Sequence, residues 1–194
     1  VKKLKINYLY IPTSEDIYGF KPRNKIFLDK SSKKLCGKFR KGHFEGVLNV
    51  VNRFIEIIKP KYIYLGKKDY QQLFLIKKHI EKRKIKSRIV ECETIRENNG
   101  VACSSRNSKL SKNQIKIAST IHNYLSNLKK KIRKNYNLFN INKIRIDLIN
   151  LGANKIDYVE NYNIKSFKRI LKSNKNFNLF FAYYIKNIRL IDNI

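Results

Sequence analysis

Three groups of residues have the types and spacing to act on a phosphate-bearing ligand. The first is Gly66-Lys67-Lys68-Asp69-Tyr70-Gln71-Gln72, which follows the apolar run Tyr62-Ile63-Tyr64-Leu65. It precedes Leu73, Ile76 and Ile80, which recur at helical spacing. That order predicts strand, glycine, helix. In an open α/β sheet such a turn lies at the carboxyl end of a strand, where ligands bind. Gly66 lets a ligand approach the backbone, the new helix offers unpaired N–H groups to an anion, and Lys68 adds a mobile positive charge. A helix starting at Asp69 puts Asp69 and Gln72 on one face. The second group, Ser104-Ser105-Arg106, sets two hydroxyls beside a guanidinium and suits a polyphosphate. The third, Arg40 and His43, leads into a helix, where an arginine can grip a carboxylate through two bonds. Each has a plainer reading: a solvated lysine in a common turn, an inert Ser-Ser-Arg loop, a solvated arginine with a capping histidine.

The elements that would position these groups follow from pattern. Residues 4–12 read as a strand ending at Pro12, and Lys25–Asp29 as a second short one, with a loop or short helix at Thr13–Tyr18 between them. Ser31–Lys41 reads as a basic loop. Phe44, Val47, Leu48, Val51, Phe54, Ile55 and Ile58 match an amphipathic helix. The strand and helix around Gly66 come next, then a strand within Lys86–Glu93 and a turn at Asn99-Gly100. This alternation predicts a parallel α/β sheet. Near Ser111 the pattern changes. Ser111 and Gln114 form a capping box for a helix through Ala118, Ile121, Leu125, Leu128 and Ile132. A second helix within Asn137–Leu151 and strands at Ile156–Val159 and Phe177–Ile185 suggest a small α+β unit. The expected division is residues 1–108 and 109–194.

Length and composition allow a packed core: 194 residues, 42% hydrophobic. No apolar run approaches the roughly 20 residues of a membrane helix, and no signal-peptide pattern is visible, so a cytoplasmic protein with no membrane partner is expected. Cys36, Cys92 and Cys103 form no metal pattern and read as reduced thiols. The net charge of +30 would suit nucleic acid. The positive residues are spread over the chain without a confined arm, and Lys, Ile and Asn dominate throughout, so compositional drift is the preferred reading and a nucleic-acid partner is not expected.

The blocks Arg40-Lys41-Gly42-His43-Phe44-Glu45-Gly46-Val47, Gly66-Lys67-Lys68-Asp69-Tyr70-Gln71-Gln72-Leu73 and Ser104-Ser105-Arg106-Asn107, with Arg189-Leu190-Ile191-Asp192-Asn193 at the close, resemble the pantoate–β-alanine ligase (pantothenate synthetase) family over essentially the whole chain. The resemblance implies a Rossmann-like nucleotidyltransferase domain followed by a small carboxy-terminal lid. It implies an ATP- and Mg²⁺-dependent homodimeric ligase acting on pantoate and β-alanine through a pantoyl-adenylate intermediate. It places ATP against Gly66, Lys67, Lys68, Asp69, Ile95, Cys103, Ser104, Ser105 and Arg106, with Lys68 and Arg106 as the catalytic cations. Gln72, Arg40 and His43 then face pantoate.

The departures are specific. The family's first βα unit, with a His-x-Gly-His motif, and its acidic residues near Mg²⁺ have no counterpart here; His79 and His122 fall in expected helices. An amino-terminally incomplete parallel sheet, and a polypeptide inactive by itself, are therefore expected. Lys67 stands where the family has glutamate and Lys41 where it has proline. The alternatives are an inactive remnant or basic nucleic-acid-binding module on the same scaffold, and a relative that adenylates a different small acid.

Overall fold

The alternation of apolar strand and amphipathic helix between residues 43 and 92 folds as its pattern dictates. A computed structural model describes residues 3, 5–172 and 176–194. Its helices are α1 (Ser14–Tyr18), α2 (Cys36–Phe39), α3 (His43–Ile58), α4 (Tyr70–Lys82), α5 (Lys112–Lys134) and α6 (Ile141–Asn150). Its strands are β1 (Tyr62–Gly66), β2 (Arg88–Cys92), β3 (Lys155–Asn163), β4 (Phe177–Ile185) and β5 (Ile188–Asn193).

β1 and β2 pair in parallel, Tyr62 opposite Arg88 through Gly66 opposite Cys92. α4 is the crossover such a pair requires. Ile63, Leu65 and Ile89 pack with Leu48 and Ile55 of α3 and Ile76 and Ile80 of α4. Alternation along β1 turns Tyr62 and Tyr64 to the other face, where they are exposed. A buried polar tie crosses this core. Phe27 N–H donates to His79 Nδ1 at 3.1 Å. The other nitrogen, Nε2, therefore carries the proton and donates to Asn52 Oδ1 at 3.0 Å.

β3, β4 and β5 form a separate antiparallel sheet buried on both faces. One face meets Ala118, Ile121 and Leu125 of α5 and Ile144 and Leu148 of α6. A register shift between Ile156 and Tyr158 lets Ile156 and Val159 share that face. The opposite face presents Tyr158, Tyr162, Phe180 and Ala182 to Leu35, Phe44 and Phe74 from the first half of the chain. This aromatic core joins the second sheet to α3 and α4, and it is distinct from the core around β1 and β2.

The α/β class, the parallel pair and the helix starts follow expectation. Ser111 caps α5 with Gln114 reciprocating. Three expectations fail. Residues 5–12 form no strand, and Leu4 lies outside the described residues; Tyr8 and Ile11 are 92% and 78% exposed, and no ladder partner satisfies that backbone. Lys25–Asp29 is not a strand either: Phe27 N–H is bound by His79, and Ile26 O accepts from Arg83. Ser31–Lys41 is not all loop, since it holds a 3₁₀ turn at Lys30–Lys33 and the short α2. β5 is an added strand, paired to β4.

Candidate active site

β1 ends at Gly66, a single 3₁₀ turn carries Lys67–Asp69, and α4 begins at Tyr70. Nothing lies within 4 Å of where a Cβ on Gly66 would stand, so the backbone there is open to approach. Lys68 projects to the junction of two clefts. The first, about 30 Å³, is lined by Lys68, Ser104, Arg106, Asn107, His122 and Asp192 over an apolar floor. The second, about 50 Å³, is lined by Arg40, His43, Lys68, Asp69, Gln72 and Tyr158. Lys68, Ile191 and Asp192 belong to both. Residues far apart in sequence, from Arg40 to Asp192, therefore share walls, and the cations fall into the two groups that the sequence suggested.

The loop carrying Ser104 and Arg106 is held by its own backbone. Arg96 and Ala102 bridge, and Glu97 N–H donates to Val101 O. Gly100 turns at φ 87°, and a Cβ there would lie 2.6 Å from His122 Cδ2. The Asn99-Gly100 turn is therefore what lets the loop rest against α5. Ser104 Oγ accepts from Arg106 N–H at 3.2 Å, fixing the tip.

The carboxy terminus closes the site. Arg96 grips Asp192 with Nη1 at 2.6 Å and Nη2 at 3.1 Å. His122 Nδ1 stands 3.6 Å from the same carboxylate. Burial opposes the charge on Asp192, but the bonds from His122 and Arg96 outweigh it and hold its pKa below the usual carboxylate range. Asn193 Nδ2 donates to Lys67 O and Lys68 O, both at 2.9 Å. β5 is thereby pinned to the turn that presents Lys68. Pattern reasoning missed Arg96, His122, Asp192 and Asn193 as site residues; the signal available was the closing Arg-Leu-Ile-Asp-Asn block.

In the second cleft Arg40 Nη1 donates to His43 Nε2 at 3.0 Å. An arginine only donates, so His43 carries its proton on Nδ1. Partial burial and then the Arg40 charge lower the His43 pKa, which keeps the ring neutral near pH 7. Deeper in, Cys36 Sγ and Tyr158 Oη lie 3.0 Å apart, and Arg189 Nε donates to Asp157 Oδ2 at 2.7 Å.

Other expected ATP contacts stand apart. Gly66, Lys67, Ile95, Cys103 and Ser105 line neither cleft. Lys67 is ion-paired with Glu93 at the end of β2, so the lysine that departs from the family finds a local partner. Ile95 is exposed, and its carbonyl accepts from Cys103 N–H. Among the described residues no group of three or more His, Cys, Asp or Glu is placed to hold a metal.

A parallel strand, a basic turn at its carboxyl end and a cationic cleft under a second sheet define an α/β protein of the nucleotidyltransferase type. The family model for pantoate-beta-alanine ligase matches residues 1–194, and the chain belongs to that enzyme family. It is 37% identical over 191 residues to the pantothenate synthetase of Flavobacterium psychrophilum, covering 96% of this chain and 67% of the relative. It is 35% identical to that of Ruthia magnifica over 193 residues, covering 99% and 69%. The crystal structure of pantoate-beta-alanine ligase from Francisella tularensis, complexed with beta-gamma ATP and beta-alanine, superposes with a TM-score of 0.75 at 33% identity, covering 100% of this chain and 66% of that one. The pantothenate synthetase of Thermus thermophilus, at 23% identity and TM-score 0.81, shares the fold. The chain thus spans about two thirds of the length of these relatives, 66% to 71%.

Proposed function

We propose that this chain binds ATP in the first cleft and pantoate in the second, and takes part in the ATP-dependent ligation of pantoate to β-alanine. A pantoate carboxylate oxygen attacks the α-phosphorus of ATP and pyrophosphate leaves. The amine of β-alanine then attacks the acyl carbon, and AMP leaves with pantothenate formed. One observation carries this reading: Lys68 lines both clefts, between Arg106 and Ser104 on one side and Arg40, His43 and Gln72 on the other. It therefore stands where negative charge would develop as the carboxylate meets the α-phosphate. Arg106 and Ser104 hold the phosphates; Gly66, Lys67, Ile95, Cys103 and Ser105, which line neither cleft, meet the nucleotide only once the cleft widens, and Asp69 stands on the wall of the second cleft. Gln72 supplies amide groups to pantoate. Arg40 fixes the His43 tautomer so that its Nδ1–H donates.

Residues 1–108 form the nucleotide-binding part and 109–194 the lid in this reading, and a cytoplasmic homodimer is its assembly. Neither cleft as it stands reaches the roughly 300 Å³ of a small-molecule site, so substrate entry requires the second sheet or the Arg106 loop to move outward. ATP brings Mg²⁺ with its phosphates. The residues here do not fit a protein-built Mg²⁺ site, since both Asp192 oxygens are committed to Arg96.

The test is binding of ATP to the chain, read by calorimetry. Lys68→Ala should weaken it by about tenfold or more, the loss of a charge-assisted contact to phosphate. An effect within twofold would contradict the assignment.

A further inference from the structure

We propose that Lys129 is an acylation site, and that its modification loosens the turn that presents Lys68. Lys129 lies on α5 two turns beyond His122 and lines neither cleft. Its Nζ donates to Asn178 Oδ1 at 3.0 Å and stands 5.8 Å from the centroid of the Phe177 ring. Among the described residues it pairs with no carboxylate. β4 offers it a phenyl ring and an uncharged amide, and the charge that acts on it is Arg133, one turn further along α5. Burial and then the Arg133 charge push its pKa down to about 8. At pH 7.5 about a quarter of such an amine is neutral, against about a thousandth for an ordinary lysine near 10.4. The neutral amine is the nucleophile. Its nitrogen attacks the acyl carbon of an acyl phosphate and the C–N bond forms. The acyl C–O bond breaks, its electron pair leaves on phosphate, and the amine proton passes to water.

A chain of hydrogen bonds runs from this amine to the Lys68 turn. Asn178 Nδ2 donates to Asn193 Oδ1 at 2.8 Å, and Asn193 Nδ2 donates to Lys67 O and Lys68 O, both at 2.9 Å. Each amide has one direction. An ammonium only donates, so it takes the Asn178 oxygen and leaves the Asn178 NH₂ for Asn193. Asn193 then has its oxygen occupied and its NH₂ turned to the two carbonyls. Acylation removes the charge, which weakens the bond to Asn178, and sets a bulkier group beside Phe177. Both effects reach the turn through Asn178 and Asn193. The relay stands on these contacts; only the ATP readout below rests on the ligase reading.

Acetyl phosphate is the probe. The full chain is treated at pH 7.5 and its acetylated lysines are mapped by mass spectrometry. Lys129 should acetylate about tenfold or more faster than Lys130 and Lys131, which are exposed on the same helix. Equal or slower labelling of Lys129 would overturn the proposal. Lys129→Gln is neutral and can turn its amide either way. It should speed hydrogen exchange at residues 67–70 and weaken ATP binding, each about threefold or more. Lys129→Arg keeps a cation that only donates and should retain the original values. Unchanged exchange in Lys129→Gln, or equal change in Lys129→Arg, would also overturn the proposal. Faster exchange in Lys129→Gln of a chain that binds no ATP would uphold the relay and contradict the ligase reading instead.

Discussion

Gln71 and Gln72, adjacent at the start of α4, take opposite jobs. Gln71 is buried, accepts from Cys36 N–H, and donates to Ser31 O and Lys34 O at 2.9 and 2.7 Å. It spends its amide holding the α2 region to α4. Gln72 stands on the wall of the second cleft, and its amide has no hydrogen-bond partner among the described residues. Asn193 works as Gln71 does, tying β5 to the Lys67 and Lys68 carbonyls. Asn193→Ala removes both bonds, together with the one its Oδ1 accepts from Asn178, and leaves the part-buried Lys67 and Lys68 carbonyls unpaired. It should cost about 1–3 kcal/mol, read as a lower denaturation midpoint at unchanged m; an unchanged midpoint would show that β5 does not brace the turn. At this scale the sequence reveals which residues line the clefts and hides which ones brace them. Lys68, Gln72, Ser104 and Arg106 stand in recognisable local blocks. Arg96, His122 and Asp192 become a cluster only when α5 and β5 come together, and no spacing along the chain announces that.

The elements sort by how local their causes are. α3, α4 and α5 are amphipathic over long windows, and the Ser111–Gln114 box marks a helix start within four residues. β5 is less visible because its connection to β4 is the two-residue loop Lys186-Asn187, with Lys186 at φ 50°. Hairpin turns of that length favour Asn-Gly or similar pairs, and this pair gives no such signal. Residues 5–12 err in the opposite direction: an alternating apolar run is legible, but a strand needs a neighbour to accept its backbone bonds. The α3–α4 contact makes a prediction of its own. His79 is fully buried, and desolvation followed by the Arg83 charge lowers its pKa. A histidine with a depressed folded pKa contributes stability that is complete above its unfolded value of about 6.5 and is lost as the pH falls below that. His43, also depressed but less buried, adds in the same direction. Stability should therefore fall between pH 7 and 5.5, by up to about 1.4 kcal/mol per pH unit for each proton taken up. His79→Gln should flatten that dependence in thermal melts, and an equally steep dependence in the variant would exclude His79 as its source.

Across the whole molecule, the second sheet and its flanking Phe167 meet the first half of the chain through Tyr158, Tyr162 and Phe180 against Phe44 of α3 and Phe74 of α4. The Arg96–Asp192 pair and Asn193 fasten the same halves on the cleft side. The second half was legible as an α+β unit but not as a partner to the first, because β4 reads as a nearly unbroken apolar run, while β3 buries both faces although Asp157, Glu160 and Asn161 interrupt its apolar residues. Only the assembled fold shows that one of those faces belongs to the other half. The clefts lie along this seam, so in the proposed reading the phosphate cations act across it. Lys68 comes from the β1–α4 turn and Arg106 from the loop that rests on α5, and both line the first cleft. A double-mutant cycle on ATP affinity with Lys68→Ala, Arg106→Ala and the pair tests this most directly. Two cations on one triphosphate should show a coupling of about 0.5–3 kcal/mol, whereas losses that add to within about 0.5 kcal/mol would mean that the two residues do not share a ligand.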